Sequence, residues 1–542
     1  MCGIYASFGS LGFKNEKKNH LEHRGPDDTV STQDLINGKI YLDFTFYRLE
    51  INGVNDEISQ QPFHENKVYL MCNGEIFNHK LLAEEFNSPY FRSDCRIILY
   101  LYFLFNGDFN KVVEKLDGDF VIVLFDYSNN QPKIFVSRDK FGVRPLFYLD
   151  CPNSSISFAS ESKALLHLQG EIYPFPPNQT REYHINENII KLKRIYKPPA
   201  LVVKEYIPCK KDIHSSCIRD LLYQAISKRV SNRDSDIGIG FLLSGGLDSS
   251  LVCGIANKLK KEKTKIKTFS IGIIQDNQEK PTRDQNPDLF YARQVADFIG
   301  SEHYEFIVKS SEALDAIPEV IYTLETYDTT TIRASVPMYL LSKYIKSRFP
   351  HIKVLLSGEG ADELFGGYLY FRNAPTPKDF KDETMYLLDN LYRYDVLRAD
   401  RTVSRFGLEL RVPFLDCLLT KYVIEEVSPE YLIHALPEKH EKWLLRRSFE
   451  NEKIIPYQVL YRQKDAFSDA VGYNWKNEIK NHVDKIEINE CRTKEEEWYF
   501  QIYNRHYKDK IKLDVPLEDY YWHPKWQPKS LIDPSAKELT LI

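Results

Sequence analysis

The stretch Phe241-Leu242-Leu243-Ser244-Gly245-Gly246-Leu247-Asp248-Ser249-Ser250 decides the fold. The apolar run that leads into it, residues 237–243, predicts a buried parallel strand. A turn of small residues follows, and apolar residues with helical spacing then predict a helix over residues 251–259. Glycines let backbone N–H groups approach a phosphate, and the helix N-terminus adds a partial positive charge. The sequence therefore predicts an anion site where a strand ends.

The polar residues of this loop favour a nucleotide together with a divalent cation. Ser244, Ser249 and Ser250 add hydroxyl donors. Asp248 would repel a bare phosphate, so its presence predicts a divalent cation between the two groups. The loop lacks the Lys of a Walker A motif. It resembles the PP-loop of ATP pyrophosphatases, which cleave ATP to AMP and pyrophosphate. The alternative is a tight turn that ends a helix.

A second strand end carries an acidic loop. Strands are predicted at 266–273 and 303–308 with a helix at 288–298 between them, which indicates a doubly wound parallel sheet. Such sheets bind ligands at the carboxyl ends of their strands. Residues 354–363, Val-Leu-Leu-Ser-Gly-Glu-Gly-Ala-Asp-Glu, run from an apolar strand into three carboxylates. These carboxylates favour a metal, a cationic substrate group or a proton transfer. A solvated acidic turn is the alternative, but it does not explain the apolar strand.

The chain begins Met1-Cys2-Gly3. Removal of Met1 would leave Cys2 with a thiol and a free α-amine of pKa about 7.7–8 on one residue. Such an amine can act as the base for its own thiol, as in N-terminal nucleophile enzymes. The alternative is a chance cysteine that is buried as a small hydrophobe.

Short motifs follow in the first 195 residues. A strand is predicted at 68–72, a tight turn at Asn73-Gly74, and a helix through 97–101 that Ser93-Asp94 would cap. Residues 120–126 and 134–139 predict a hairpin. Together with Cys2, these motifs resemble the class II glutamine amidotransferase domain, whose nucleophile is an N-terminal cysteine. Further motifs carry the resemblance: His23-Arg24-Gly25-Pro26-Asp27, Arg48-Leu49, Gln61-Pro62, Gly142-Val143-Arg144-Pro145-Leu146 and Ala159-Ser160-Glu161.

This resemblance implies an α+β N-terminal-nucleophile sandwich of antiparallel sheets over residues 2–195. It also implies a catalytic role for three residues. Cys2 would attack the side-chain amide of glutamine and hold a thioester. The Asn73 side chain and the Gly74 backbone N–H would form the oxyanion hole.

The resemblance further implies how glutamine would be held. Arg48 would pair with the α-carboxylate of glutamine, and Glu75 and Asp94 would hold its α-ammonium. Taken one at a time, each of these residues has the alternative of a surface ion pair.

The rest of the chain extends the resemblance to about residue 475. The stretch Thr329-Thr330-Thr331-Ile332-Arg333-Ala334-Ser335 is expected to lie between helices. Together with the two loops upstream, this stretch and five others, whose numbers close this paragraph, resemble the glutamine-dependent asparagine synthetase family. The implied second domain, 205–515, is an α/β PP-loop ATP pyrophosphatase domain with a parallel sheet; 196–200 has linker composition and 516–542 is a tail. The other stretches are 366–368, 397–401, 408–416, 442–446 and 462–469.

The family resemblance implies a complete reaction. ATP and Mg²⁺ would activate the side-chain carboxylate of L-aspartate as β-aspartyl-AMP, with release of pyrophosphate. Ammonia from L-glutamine would cross between the domains through a tunnel lined by uncharged side chains. Glu359 would take its proton as it attacks. A homodimer is compatible with this resemblance.

The resemblance also implies the ligand contacts of the second domain. Asp248 and Asp362 are the expected metal ligands. Thr330, Thr331, Arg333 and Arg398 are weaker candidates for contacts with aspartate. The expected ATP-binding residues are Leu243, Ser244, Gly245, Gly246, Asp248, Ser249, Ile271, Ser357, Gly358 and Lys442.

Composition excludes several other classes of function. The net charge of −5 gives no reason to expect nucleic acid or an anionic membrane as a partner. No apolar run approaches the length of a membrane span, and no signal peptide is evident, so a cytoplasmic location is expected. The nine cysteines are scattered without a Cys-x-x-Cys pair, which argues against zinc and against a disulfide framework.

Three alternatives stay open from the sequence. The same two domains could amidate another acid, as in relatives that resemble β-lactam synthetase. A non-catalytic protein on this fold is a second alternative, although it would be expected to lose Cys2, Asp248 or Glu359. A bare glutaminase is a third, and it leaves the phosphate loop without a purpose.

Overall fold

The computed structural model describes most of the chain. Part of the expected linker, part of the expected tail and residues 464–469 lie outside the described residues. The described residues are 1–9, 19–151, 155–186, 189–199, 201, 211–260, 264–432, 440–463, 475–507, 510–512 and 520–526.

The amino-terminal part, residues 1–199, contains two antiparallel six-stranded sheets. The strands are β1 (Gly3–Gly9), β2 (Asp28–Ile36), β3 (Ile40–Arg48), β4 (Phe63–Glu65), β5 (Val68–Ile76), β6 (Gly118–Asp126), β7 (Lys133–Arg138), β8 (Phe147–Cys151), β9 (Ser155–Ala159), β10 (Ile172–Pro174), β11 (Gln179–Asn186) and β12 (Ile189–Tyr196). The strand orders are β10-β8-β9-β1-β3-β2 and β12-β11-β7-β6-β5-β4. Three α-helices are described beside these sheets: α1 (His79–Glu85), α2 (Arg96–Leu104) and α3 (Phe109–Lys115).

Alternating side chains of β5 explain why these sheets form layers. Tyr69 and Met71 pack with β1 in the core between the two sheets. Leu70 and Cys72 point the other way and pack with Ile98 of α2. Because successive side chains of a strand point to opposite faces and both faces are covered here, residues 68–72 are apolar on both faces. The predicted sandwich with outer helices is confirmed.

The described residues of the carboxyl-terminal part, from residue 211, contain a five-stranded parallel sheet. Its strands are β13 (Gly238–Leu242), β14 (Lys267–Ile274), β15 (Glu302–Lys309), β16 (Ile352–Leu356) and β17 (Glu409–Arg411). They lie in the order β15-β14-β13-β16-β17, all parallel, and the predicted parallel sheet is thereby confirmed. The helices described in this part are α4 (Lys211–Ser231), α5 (Leu247–Leu259), α6 (Pro287–Ile299), α7 (Ser310–Leu324), α8 (Thr329–Arg348), α9 (Ala361–Phe365), α10 (Pro377–Asn390), α11 (Asp395–Ser404), α12 (Cys417–Glu425), α13 (Trp443–Phe449), α14 (Tyr457–Leu460), α15 (Trp475–His482) and α16 (Lys494–Tyr507).

The order of this sheet brings the two predicted loops together. β13 pairs with β14 on one side and with β16 on the other. The chain therefore reverses direction of travel across the sheet at β13, which is where open parallel sheets form ligand crevices. The phosphate loop (residues 243–249) and the acidic loop (residues 357–363) leave the carboxyl ends of these neighbouring strands.

Three local predictions are wrong. Asn73-Gly74 is not a turn, because β5 continues through it and pairs Gly74 with Phe120 of β6. Asp94 does not cap α2; its carboxylate accepts the Ile76 N–H at 2.7 Å instead. The Thr329–Ser335 stretch does not lie between helices but forms the first turns of α8. Long-range pairing and packing decided each case.

Besides its own cores, the first part contributes side chains to the core of the second part. Leu49, Ile51 and Val143 of the first part belong to the same buried cluster as Phe241 and Leu251 of the second. The interface between the parts is therefore apolar and continuous with the core. Among the helices of the described residues, none has the length and apolarity needed to cross a membrane.

Candidate active sites

Cys2 lies at the interface between the two parts. Its Sγ accepts the Leu49 N–H at 3.4 Å, and burial raises the pKa of the thiol to about 11. The Met1 amine donates to the Leu408 carbonyl at 3.1 Å, and burial lowers the pKa of this amine to about 5. Near pH 7 the buried Met1 amine is therefore neutral, and the Cys2 thiol beside it is protonated.

Asn73 presents a side-chain amide that no described residue satisfies. Asn73 is fully buried, and its Oδ1 and Nδ2 have no hydrogen-bond partner among the described residues. An unsatisfied buried polar group costs about 1–3 kcal/mol. A Cβ at Gly74 would lie 2.1 Å from the Asp119 carbonyl oxygen, so only glycine fits there. The Asn73 amide therefore has a donor and an acceptor that a ligand could use.

A loop joins the predicted glutamine-binding residues. The Arg48 guanidinium donates to the Gly53 carbonyl at 2.6 Å. Asn52, in the same loop, donates to Glu75 at 2.9 Å and to Asp94 at 3.5 Å. The loop thus contacts one cation, Arg48, and two carboxylates, Glu75 and Asp94. Such a set of charges can bind both charged groups of a zwitterion. Sequence reasoning missed Asn52, which carries no motif signal of its own.

The carboxyl-terminal part completes this first site. Glu75 accepts the Asn232 amide at 2.5 Å and lies 3.2 Å from the Arg411 guanidinium. Burial raises the pKa of Glu75 well above its ordinary value, and Glu409 and Asp94 add to this while Arg411 opposes it. No sequence motif predicts that Asn232 and Arg411, each more than 150 positions away, contact Glu75.

The second site is a cavity of about 260 Å³ at the carboxyl ends of the parallel strands. Gly245 belongs to the same loop but packs on α6, where a Cβ would lie 2.5 Å from the Ala292 nitrogen. Sequence reasoning missed Asp288, Tyr368, Tyr394, Arg446 and Trp522, which also line it. The predicted residues that line it are Leu243, Ser244, Gly246, Asp248, Ser249, Ile271, Thr330, Thr331, Arg333, Ser357, Gly358, Glu359, Asp362, Arg398 and Lys442.

Two loops form the floor of this cavity and touch each other. The Ser244 and Ser249 hydroxyls lie 3.0 Å apart, and the Ser249 hydroxyl accepts the Ser244 N–H at 3.2 Å. A Cβ at Gly358 would lie 2.8 Å from the Asp248 Cβ and from the Ser249 nitrogen. Glycine at position 358 therefore permits the close approach of the acidic loop to the phosphate loop.

Lys442 joins the two predicted metal ligands. Its ammonium lies 2.6 Å from Asp362 Oδ1 and forms a second ion pair with Asp248. No cluster of three or more potential metal ligands occurs within the described ranges. Mg²⁺ at nucleotide sites is held by one or two carboxylates together with phosphates and water. Two carboxylates that line the cavity beside a phosphate loop fit that donor set.

Glu359 and Arg398 form a second charged pair in the cavity. The Arg398 guanidinium donates to Glu359 at 2.7 Å and pairs with Asp395 at 2.7 Å. Burial raises the pKa of Glu359, and Arg398 opposes that rise. Arg333 also lines the cavity, but it forms two hydrogen bonds of 2.8 and 2.5 Å with Glu495 of α16.

Arg462 lines the cavity and holds the phosphate loop in place. Its guanidinium donates to the Gly245 carbonyl at 3.0 Å and to Asp288 at 2.9 Å, and it lies 4.3 Å from the centre of the Tyr291 ring. The sequence marked Arg462 only as part of a matching stretch. Arg462 can contact the loop and Asp288 together because α6 packs beside the loop.

Both parts match known families. The family model for asparagine synthase matches residues 217–383 and 375–532, and a glutamine amidotransferase domain model matches residues 1–198. Asparagine synthetase [glutamine-hydrolyzing] of Gallus gallus is 38% identical over 99% of this chain and 98% of the relative. The protein of the same name from Homo sapiens is 38% identical over 100% of this chain and 99% of the relative.

Similarity to two solved structures is weaker. A glutamine phosphoribosylpyrophosphate amidotransferase from B. subtilis has a TM-score of 0.28 at 15% identity, over 52% of this chain and 69% of that one. An NH3-dependent NAD synthetase from Campylobacter jejuni has a TM-score of 0.20 at 18% identity, over 33% and 76%. The family assignment rests on the full-length identity to the sequence relatives. The chain belongs to the asparagine synthetase (glutamine-hydrolysing) family.

Proposed function

We propose that this protein synthesises L-asparagine from L-aspartate, L-glutamine and ATP, and releases L-glutamate, AMP and pyrophosphate. One observation supports the proposal above all. The phosphate loop and the acidic loop converge on one cavity, while Cys2 lies at the interface between the two parts. The family membership supports the same assignment. The proposed glutaminase unit spans 2–195, the synthetase unit spans 205–515, and 516–542 form a tail.

The first half-reaction would take place at Cys2. Removal of Met1 would free the Cys2 amine, which accepts the thiol proton. Sγ then attacks the amide carbon of glutamine, and the Asn73 side chain and the Gly74 N–H stabilise the negative oxygen. The amine returns its proton to the leaving nitrogen as ammonia departs. Water then hydrolyses the thioester and releases glutamate, while Arg48, Glu75 and Asp94 hold the substrate.

The second half-reaction would take place in the cavity. The side-chain carboxylate of aspartate attacks the α-phosphorus of ATP and displaces pyrophosphate, which Ser244, Gly246 and Ser249 hold. Asp248 and Asp362 would hold Mg²⁺, which neutralises phosphate charge when bound.

Amide formation would follow on the acidic loop. Ammonia attacks the acyl carbon of β-aspartyl-AMP, Glu359 accepts a proton from the attacking nitrogen, and AMP leaves. Arg398 favours the ionised form of Glu359 and so keeps it able to accept that proton. Lys442 supplies positive charge beside the phosphates.

Product analysis with amide-¹⁵N glutamine tests this proposal. Wild-type protein with aspartate, ATP and Mg²⁺ is expected to form labelled asparagine together with AMP and pyrophosphate. Cys2→Ala should lose this activity with glutamine but keep it with ammonium, and Glu359→Gln should lose synthesis yet keep glutamate formation. Glutamate without asparagine from the wild type would overturn the proposed acceptor, and a screen of other acids for pyrophosphate release would then identify the true one.

A further inference from the structure

A segment near the carboxyl terminus, residues 520–526, contributes a wall to the cavity. Trp522 lines it together with Thr330, Tyr368 and Tyr394. The segment lies far along the chain from both loops that form the floor. It therefore adds an aromatic side chain that neither motif predicts.

Three hydrogen bonds fasten the start of this segment to the cavity rim. The Tyr520 hydroxyl lies 2.6 Å from the Thr326 hydroxyl and accepts the Tyr327 N–H at 3.1 Å. The Tyr520 carbonyl accepts the Tyr394 hydroxyl at 3.2 Å. The Tyr520 and Tyr327 rings also lie 4.7 Å apart between their centres. The segment thus bridges the starts of α8 and α11.

Asp328 ties this segment to the helix that carries the predicted aspartate contacts. One carboxylate oxygen of Asp328 accepts the Thr331 N–H at 2.8 Å and caps α8. The other oxygen accepts the Trp522 N–H at 3.2 Å. The side chain is buried, so both bonds are shielded from water. A single carboxylate therefore fixes the position of Trp522 relative to Thr330 and Thr331.

The Trp522 ring packs against the tyrosines of the Gly-Gly-Tyr stretch. Its centre lies 5.4 Å from the Tyr368 ring and 6.2 Å from the Tyr370 ring. The Tyr368 hydroxyl donates to Glu363 at 2.5 Å, which holds that ring in place. Trp522 and Tyr368 thus form an aromatic part of the wall of the cavity that Thr330 and Tyr394 also line.

We propose that Trp522 determines the specificity for the acceptor acid: its ring bounds the cavity that Thr330 and Thr331 also line, so that a four-carbon amino dicarboxylate fits and a longer one does not. This inference rests on the proposed function, because it assigns a size limit to the acceptor subsite of the same reaction. A flat apolar wall held by neighbours cannot retreat for an extra methylene. One methylene in such a pocket is worth about 10–200-fold in discrimination.

The test compares three variants in ammonium-driven pyrophosphate release. Trp522→Ala is expected to raise KM for aspartate at least about tenfold, to leave KM for ATP within about twofold, and to improve glutamate relative to aspartate by about tenfold. Trp522→Phe keeps an aromatic ring in the wall, so it should retain most of the wild-type KM for aspartate and most of the discrimination against glutamate. Trp526→Ala is the matched control, because Trp526 packs on Tyr370 and Phe371 in the same segment.

A spectroscopic readout separates a local wall from a general loss of structure. Titration of aspartate with a non-hydrolysable ATP analogue should change tryptophan emission in the wild type and in Trp526→Ala, but not in Trp522→Phe. Unchanged KM values and unchanged discrimination in Trp522→Ala, with wild-type aspartate activity present, would overturn this inference alone. If no acid supports pyrophosphate release by the wild type, both this inference and the proposed function are overturned.

Discussion

The Arg24 guanidinium forms hydrogen bonds of 2.9 and 3.0 Å with the two carboxylate oxygens of Asp400, across the interface between the amino-terminal and carboxyl-terminal parts. The same guanidinium donates to the Cys2 carbonyl at 2.9 Å. Asp400 lies on α11, two residues after Arg398, which pairs with Glu359. A single helix thus connects the cysteine site with the proposed base of the synthetase site.

We expect Arg24→Met to destabilise the protein by about 3–5 kcal/mol, because it leaves the buried Asp400 carboxylate without its partner. Glutamine-driven asparagine synthesis should fall more than ammonium-driven synthesis, since Arg24 also positions the Cys2 backbone. Denaturant unfolding and the ratio of the two activities check this. The double variant Arg24→Met/Asp400→Leu should recover much of the stability but not the ratio; equal loss of both activities would contradict the coupling.

Asn73→Ala should lower the rate of glutaminase turnover by about 10²–10³-fold, which is typical for loss of one oxyanion-hole donor. Its stability should stay within about 1 kcal/mol of the wild type, because neither amide atom has a hydrogen-bond partner among the described residues. Glutamate formation and thermal unfolding measure the two effects. Asn257→Ala, which removes an amide bonded to the Ile299 carbonyl, is the control and should keep full glutaminase activity.

Lys442→Met should leave Asp248 and Asp362 facing each other without the cation that bridges them. We expect a loss of about 2 kcal/mol, less than for a fully buried pair because both carboxylates are partly exposed. Added Mg²⁺ should restore much of the melting temperature of the variant and change that of the wild type little. Lys381→Met serves as the control, because Lys381 is a buried lysine whose ammonium donates to the Val423 carbonyl. Recovery by Mg²⁺ in that control would argue against the site.

The pair of Arg398 with Glu359 predicts a pH effect. Glu359 must be ionised to accept a proton; burial raises its pKa and Arg398 opposes that rise. Arg398→Gln removes the opposing charge, so the pKa rises further and the acid limb of ammonium-driven synthesis should move to higher pH by about one pH unit or more. Free ammonia is held constant across the profile.

A surface arginine supplies the control for this profile. Arg405 pairs with Glu319 at 2.8 Å, and both side chains are about one-third exposed or more. Arg405→Gln should leave the acid limb in place. An unmoved limb in Arg398→Gln, together with a uniform loss of rate, would show that Arg398 acts on substrate binding rather than on the proton affinity of Glu359.

Much of the fold follows from local patterns. The apolar run before Ser244 and the helical spacing after it predicted β13 and α5, and both elements are present with small differences in their ends. Strand ends and helix caps were less predictable. Asn73-Gly74 has the composition of a turn, yet pairing with β6 keeps it extended, because a ladder of long-range hydrogen bonds outweighs a local preference.

The sequence by itself determined the backbone course of the phosphate loop, the apolar strands and the position of Cys2, because hydrophobic periodicity and turn chemistry act over a few neighbouring residues. Only the tertiary structure decided which side chains meet. Lys442 reaches Asp248 from 194 positions away, and Arg411 of β17 reaches Glu75 of β5. These contacts depend on the order of strands in the parallel sheet and on the packing of the two parts against each other. No short segment of the chain encodes either.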